Sequence, residues 1–199
     1  MPSVNGAAST RRDEILLEAA ALFARRGIAA TTVREIGDAV GMLSGSLYHH
    51  FASKEEMVDE IISSYLEDLV ARYRTVQDQT HDPLECLKAL IRASFESVEE
   101  HPHACEIYQN DYNYLTTLPR FAYLKRVSRN AQRIWMSTLT AGTEQGIFRS
   151  DVDAVVFYRF LRDAIWMSVR WHRPGADYTV DELADECIAV FIEGYARSA

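Results

Sequence analysis

Apolar residues recur at helical spacing along almost the whole of this 199-residue chain. An early stretch places Ile15, Ala19, Leu22 and Phe23 three or four residues apart. This spacing puts side chains on one face of an α-helix. No convincing run alternates polar and apolar residues with the period of two that a half-buried strand requires. The sequence therefore predicts an all-α fold without β-strands.

The ends of the helices are marked by residues that satisfy or interrupt backbone hydrogen bonds. Three hydroxyl residues stand three positions before a glutamate and form capping boxes, namely Thr32 with Glu35, Ser53 with Glu56 and Thr179 with Glu182. Proline begins several other helices and glycine ends others. These signals predict nine helices, over about 10–26, 32–39, 44–50, 54–77, 83–100, 103–117, 119–145, 152–172 and 179–197.

The first three predicted helices are short and the others are longer, which divides the chain near Ser53. We expect a head of residues 1–53 and a body of residues 54–199. No Gly/Ser-rich or Pro-rich linker separates them. The helix that begins near Lys54 is therefore expected to be shared mechanically by the head and the body.

Composition and residue spacing argue against several kinds of site. The three cysteines, Cys86, Cys105 and Cys187, are far apart and match no spacing of a zinc site or disulfide framework. No segment resembles a signal peptide or approaches the roughly 20 apolar residues of a membrane span. The six histidines lack helical metal spacing with carboxylates, and no phosphate loop or nucleophile elbow is present. We expect a cytoplasmic protein without a membrane partner, metal, cofactor or catalytic residues.

Net charge at first argues against binding to nucleic acid, because the chain carries −8. However, residues 1–54 hold six Lys or Arg against five Asp or Glu, a net +1, which leaves −9 for the remainder. A near-neutral head is compatible with DNA binding if its cations lie on the side that faces DNA. Composition alone does not indicate DNA as a partner.

The segment from Thr31 to Phe51 has the size and punctuation of a helix-turn-helix, with Gly41 in the turn. We expect a small apolar centre that sets the angle between its helices, formed by Val33, Ile36, Val40, Leu43 and Leu47. The second helix then offers four polar side chains to phosphates or base edges: Ser44, Ser46, Tyr48 and His49.

The runs Thr31–Ile36 and Gly41–Glu55 resemble the DNA-binding signature of TetR-family repressors, and about 45 residues from Ile15 match it well. The resemblance implies that six residues face DNA, with Thr32 and Lys54 holding phosphates: Thr32, Ser44, Ser46, Tyr48, His49 and Lys54. It also implies a ligand-responsive repressor that binds double-stranded operator DNA.

The same resemblance implies a homodimer in which the last two long helices of each subunit form a four-helix interface. Two heads held in fixed register match the two half-sites of a palindromic operator. Once one head is bound, the second head binds its half-site at a high effective concentration. We expect the interface to bury the apolar faces of both helices, including Phe157, Leu161, Leu183, Ile188 and Phe191.

The aromatic-rich segment 157–173 carries Arg162, Trp166 and Arg170 at positions i, i+4 and i+8. On a helix they form one stripe in which two cations flank a flat ring. Such a stripe suits a ligand with an anionic end and a broad apolar body. The alternative is that Trp166 lies in the dimer core and that the arginines pair with acidic residues.

Other aromatic side chains are candidates to line the same ligand site, foremost Tyr108, Tyr112 and Trp135, and further Tyr114, Phe121 and Tyr123. A basic cluster of Lys125, Arg126, Arg129 and Arg133 suits either a polyphosphate or a solvated helix face.

A narrower resemblance, to KstR-type regulators of actinobacterial sterol catabolism, extends over nearly the whole chain. It rests on the run Leu43–Glu60, the patch Ile107–Gln109 and the segment from Tyr158 to Gly175. It implies that the inducer is a coenzyme A thioester, an acyl-CoA, of a sterol ring-degradation intermediate. The alternative is a TetR-type regulator of fatty-acid metabolism or drug efflux with a different acidic or aromatic ligand.

Overall fold

The computed structural model describes residues 10–172 and 178–194. Within these ranges the protein is all-helical and contains no β-strand, which confirms the predicted fold class. The helices are α1 (Arg11–Arg26), α2 (Val33–Ala39), α3 (Ser44–Leu47), α4 (Lys54–Gln79), α5 (Pro83–Glu100), α6 (Pro102–Leu115), α7 (Leu124–Glu144), α8 (Ala154–Met167) and α9 (Val180–Ile188).

The predicted helix starts are confirmed where a side chain caps the helix. The hydroxyls of Thr32, Ser53 and Thr179 accept hydrogen bonds from the backbone N–H groups of the residues three positions later. Each bond satisfies an amide that has no partner inside the helix. These contacts involve only neighbours in the chain, which is why the sequence predicts them well.

The helix ends differ more from the prediction. Helix α3 ends at Leu47 rather than near residue 50, and α8 passes after Met167 into a 3₁₀ turn over Ser168–Arg170. Pro119 begins a separate 3₁₀ turn before α7. After α9 the chain continues as a π-helical segment over Ala189–Glu193, and the last part of the predicted helix, residues 195–197, lies outside the described residues. Short 3₁₀ turns are common at helix ends because they bond carbonyl groups that the α-helix leaves free.

Helix α5 forms the centre of the body and packs against α4, α7, α8 and α9. Its side chains Leu87, Leu90 and Ile91 are fully buried. No helix within the described ranges is long and apolar enough to cross a membrane.

The head is held against the body through α1, which packs on α4 and α6. The guanidinium of Arg12 lies 3.9 Å from the ring centroid of Phe51 and forms ion pairs with Glu56 and Glu60 of α4. The buried side chains Ile15, Ala19 and Phe23 form the apolar face predicted for α1. These contacts fix the helix-turn-helix relative to the body.

The contact between α7 and the segment after it predicts a loss of stability when Gly142 is replaced by alanine. A Cβ at Gly142 would lie 2.2 Å from two ring carbons of Phe148, which is buried. Because this ring is buried and must shift to admit the Cβ, we expect Gly142→Ala to lower the free energy of unfolding by about 1–3 kcal/mol, the usual cost of overpacking. Denaturant unfolding measures the effect. The exposed variant Thr140→Ala on the same helix is the control, and equal stability of both variants would contradict the contact.

Candidate DNA-binding and ligand-binding sites

A tight turn joins α2 to α3. Gly41 adopts a φ of +66°, which residues with a side chain rarely adopt. The backbone N–H of Met42 donates to the carbonyl of Gly37 over 2.8 Å, and a Cβ on Gly37 would lie 2.7 Å from the carbonyl oxygen of Met42. The missing side chain at Gly37 therefore lets the two helices close into a helix-turn-helix.

Four of the five residues predicted for the apolar centre of this motif lie in it. Ile36 and Leu47 are fully buried, and Val33 and Val40 are half-buried against the core. The prediction for Leu43 is wrong, because its side chain is 82% exposed. Leu43 precedes α3 with an extended backbone, so it does not continue the helical stripe that buries Leu47.

The polar residues predicted to face DNA lie at the surface of the head. Tyr48 and His49 are exposed and follow α3 directly, while Ser44 and Ser46 are half-buried within it. The exposed Thr32 caps α2, and its hydroxyl also lies 2.8 Å from a carboxylate oxygen of Glu35.

Lys54 has an internal role that the sequence did not reveal. Its ammonium donates to the carbonyl oxygens of Ile28 and Thr31 over 2.7 and 2.9 Å. These bonds tie the start of α4 to the loop between α1 and α2. Two of the three N–H groups of the ammonium are used in this way, which leaves one for an external acceptor.

Several cations of the head are also engaged within the protein. Arg12 pairs with α4, Arg26 pairs with Glu35, and Arg11 pairs with Glu14 over 2.7 Å. These three arginines are therefore partly neutralised by carboxylates of the same chain.

A cavity of about 420 Å³ lies in the body among α4, α5, α6, α7 and α8. It brings together five of the six predicted ligand-binding residues, namely Arg162, Trp166, Tyr108, Tyr112 and Trp135. Arg170 does not line it. This arginine lies in the 3₁₀ turn after α8, and its guanidinium donates to the side-chain oxygen of Asn110 over 2.9 Å. The stripe predicted at i, i+4 and i+8 is broken because the α-helix ends before its third member.

Edge-to-face aromatic contacts form the wall of the cavity. Trp166 packs on Tyr65 with ring centroids 6.2 Å apart, and Tyr108 packs on Tyr112 with centroids 5.3 Å apart. Such pairs favour a fixed arrangement of the rings. Tyr65 has the helical spacing of a core residue, so nothing in the sequence distinguishes it as a residue that lines a cavity.

Among the described residues that line the cavity, Arg162 carries the only formal charge. Its guanidinium donates to the neighbouring Asp163 over 2.9 and 2.7 Å and is part-exposed. Burial raises the pKa of Tyr108 above its usual range, so its hydroxyl stays neutral at ordinary pH. The lining therefore combines apolar rings, neutral hydrogen-bonding groups and one cation.

A second cavity of about 620 Å³ adjoins the first and shares Leu66, Val70 and Val127 with it. Its wall includes two cations, Arg74 and Arg126, but also the acids Asp59 and Glu67. Of the further aromatic candidates, Tyr123 lines this second cavity, whereas Phe121 is fully buried in the core and Tyr114 is part-exposed and lines neither cavity.

The helices that line the first cavity also hold the head. Helix α6 carries Tyr108 and Tyr112, and on the same helix the carboxyl of Asp111 lies beside the loop that follows α1. Burial raises the pKa of this carboxyl, the nearby backbone N–H of Ile28 opposes that rise, and one carboxylate oxygen is buried without a hydrogen-bond partner. Ile28 is therefore bonded to α4 through Lys54 and lies near Asp111 of α6.

One group of side chains outside these sites has the composition of a metal site. Potential ligand atoms of Asp68, Glu100 and His101 lie within 4.8 Å of one another. The guanidinium of Arg72 pairs with both carboxylates, including one contact of 2.6 Å to Asp68. The group is thus an ion-pair network that already contains its own cation.

The predicted dimer face needs a correction. Phe157, Leu161, Leu183 and Ile188 are already buried within one chain, so their side chains are not available to a second subunit. The fifth predicted residue, Phe191, is half-buried, with its ring centroid 6.3 Å from that of Phe157. The large apolar side chains that do face outward from these last helices include Val156, Phe160 and Val190, which are 44%, 66% and 69% exposed.

Comparison with protein families identifies both halves of the chain. Residues 15–61 match the bacterial regulatory proteins of the tetR family. Residues 80–195 match the family described as tetracyclin repressor-like, C-terminal domain. The first match contains the complete helix-turn-helix.

Individual relatives match over nearly the whole length. The chain is 47% identical over 197 residues to the HTH-type transcriptional repressor KstR2 of Mycobacterium tuberculosis, which covers 99% of this chain and 98% of the relative. The solved structure of the ketosteroid transcriptional regulator KstR2 of M. tuberculosis has a TM-score of 0.92 at 46% identity, over 98% of this chain and 100% of that chain.

A more distant structure, AibR in complex with isovaleryl coenzyme A and operator DNA, has a TM-score of 0.80 at 24% identity, over 92% of this chain and 98% of that chain. It shows a shared fold. The two family matches and the KstR2 relatives confirm the resemblance recognised in the sequence: the chain belongs to the TetR family of helix-turn-helix transcriptional regulators, which are not enzymes.

Proposed function

We propose that this protein is a dimeric repressor whose head, residues 1–53, holds a palindromic operator and whose body, residues 54–199, releases it when a coenzyme A thioester binds. The observation that carries the proposal is the cavity in which Arg162 is the only charged side chain among the described lining residues, set among aromatic rings. The guanidinium of Arg162, which pairs with the exposed Asp163, selects an anionic or strongly polar acyl end that replaces this pair, and the rings select a broad apolar body.

The inducer we propose is a CoA thioester of a sterol ring-degradation intermediate. A cavity of about 420 Å³ is within the usual range for small-molecule sites. It suits the ring portion, with Tyr108, Tyr112, Trp135 and Trp166 around it and Arg162 at the polar end. Arg74 and Arg126 in the adjoining cavity would meet the phosphate-bearing portion, and of the two acids in the same wall, Asp59 and Glu67, Asp59 already pairs with Arg120. The names of two similar proteins support this assignment, since KstR2 is a ketosteroid regulator and AibR binds isovaleryl coenzyme A.

For the DNA contact, we propose that Tyr48, His49, Ser44 and Ser46 meet the major groove, while Thr32 and the remaining N–H of Lys54 hold phosphates. Serine hydroxyls permit close approach, and tyrosine and histidine reach phosphates or base edges. Dimerisation compensates for the small number of contacts that one head makes.

The experiment that tests the DNA contact measures binding to a duplex selected by the wild-type protein from a random library. We expect Tyr48→Ala to weaken binding by about 1–3 kcal/mol. Lys54→Ala should flatten the dependence of log affinity on log salt by about one unit if Lys54 neutralises one phosphate. Tyr48→Ala should not alter ligand binding, because Tyr48 is exposed on the head and lies outside the cavity.

Tyr178→Ala, which alters an exposed tyrosine of the body, is the matched control and should bind DNA as the wild type does. Unchanged affinity in both head variants would remove this surface from the DNA contact. Weaker binding of Lys54→Ala at an unchanged salt slope would limit Lys54 to its bonds with Ile28 and Thr31.

A further inference from the structure

The start of α3 has three features that the folding of the head does not use. The first is Leu43, which at 82% exposure is the most exposed large apolar side chain in the described part of the chain. An apolar side chain in water is unfavourable unless a partner covers it. Nothing within the described residues of this chain covers it.

The second feature is the missing cap. Helices α1, α2, α4, α5, α8 and α9 begin after a Ser, Thr or Asp whose side chain accepts a bond from the first turn. Leu43 holds the corresponding position before α3 and makes no such bond. A serine here would both cap the helix and remove the exposed apolar group. Leucine is therefore unfavourable for the isolated head on two counts.

The third feature is Gly45, which is exposed at the second position of α3. Its φ is not positive, and a Cβ added there would meet nothing within 4 Å. Alanine would fit the fold and favour the helix, because glycine is a poor helix former. What glycine does provide at an outward position is room for another molecule to approach the backbone closely.

Leu43 and Gly45 stand on either side of Ser44 in the chain and are close in sequence to Tyr48. We infer that Leu43 reads the 5-methyl group of a thymine in the major groove, and that Gly45 lets the backbone of α3 approach the base edges closely enough for that contact. This methyl group is the apolar mark by which a protein recognises thymine in the major groove. Local rules of folding are commonly broken where a surface serves binding. The inference rests on the proposed operator binding.

The experiment compares duplexes selected from a random library by the wild type and by Leu43→Ser. The wild type should require thymine at one position in each half-site, and Leu43→Ser should not. Replacing that thymine by uracil removes only the methyl group. It should weaken wild-type binding by about fourfold for each half-site, the effect of burying one carbon. Leu43→Ser should bind the thymine and uracil duplexes equally.

Protein stability provides an independent measurement. Leu43→Ser and Gly45→Ala should both melt at the same or a higher temperature than the wild type, because each change favours α3. Gly45→Ala should nevertheless bind the selected duplex at least tenfold more weakly. A wild type that is indifferent to uracil at every position would overturn the inference while leaving the proposed function intact.

Two other results would also count against it. If Leu43→Ser shifted the subunit association measured by sedimentation but kept the thymine preference, Leu43 would belong to a protein contact. If the wild type enriched no duplex at all, both the inference and the proposed operator binding would fail.

Discussion

Replacing Phe160 with aspartate is expected to convert the protein to a monomer and to weaken operator binding by at least about a hundredfold. Phe160 lies on the outward face of α8, one turn from Val156, and both side chains are well exposed. An apolar face of this kind on the last helices suits the self-complementary interface of a symmetric dimer. A charge placed on both copies of that face would be buried without a partner, which is strongly unfavourable.

The loss of DNA affinity follows from the loss of the second head. In the dimer the second head binds at the high effective concentration set by the first, a gain of about 10² to 10⁴ that a monomer lacks. Sedimentation velocity at micromolar concentration and an operator gel shift measure the two effects. The control is Phe160→Leu, which keeps the face apolar and should remain dimeric. A dimeric Phe160→Asp with normal operator affinity would place the subunit contact elsewhere.

The second large effect concerns induction. We expect Arg162→Met and Trp166→Leu to give proteins that fold, dimerise and bind operator normally but are no longer released by the CoA thioester. Arg162 is a charged residue of the cavity lining, and Trp166 forms part of the cavity wall with Tyr65. Losing a charge-assisted bond or a ring contact should weaken ligand binding by about 5- to 150-fold.

A gel shift titrated with the CoA thioester of a ring-opened sterol intermediate measures this release. Arg159→Met is the matched control, because Arg159 is an exposed arginine on the same helix that does not line the cavity. We also expect Arg170→Met to be released nearly as the wild type is, since Arg170 bonds Asn110 instead of lining the cavity. Normal release of both Arg162→Met and Trp166→Leu would rule out this cavity as the inducer site.

Communication between the two sites has a physical route in the structure. A ligand releases DNA only if it binds more tightly to the arrangement that does not fit the operator. Ile28 in the head is bonded to α4 through Lys54, α1 of the head packs on α6, and both α4 and α6 line the cavity. We propose that a shift of α4 or α6 around the ligand changes the position of the head through these contacts.

The sequence by itself determined the features that depend on neighbours along the chain. Thr32 and Thr179 cap their helices because each reaches an amide only three residues away. Arg162 and Trp166 share a face because residues four apart on any α-helix do so. The helix-turn-helix was likewise recognisable, since its turn glycine and its apolar spacing are local.

Only the tertiary structure decided how those helices face one another. In the folded chain Leu43 is exposed and α8 ends before Arg170. Phe157 and Leu161 are buried in the core of a single chain. Two N–H groups of Lys54 donate hydrogen bonds to carbonyl oxygens of residues more than twenty positions earlier in the chain. The physical reason is that periodicity fixes which residues of a helix lie together, whereas burial and hydrogen-bond partners depend on the packing of helices that are distant in sequence.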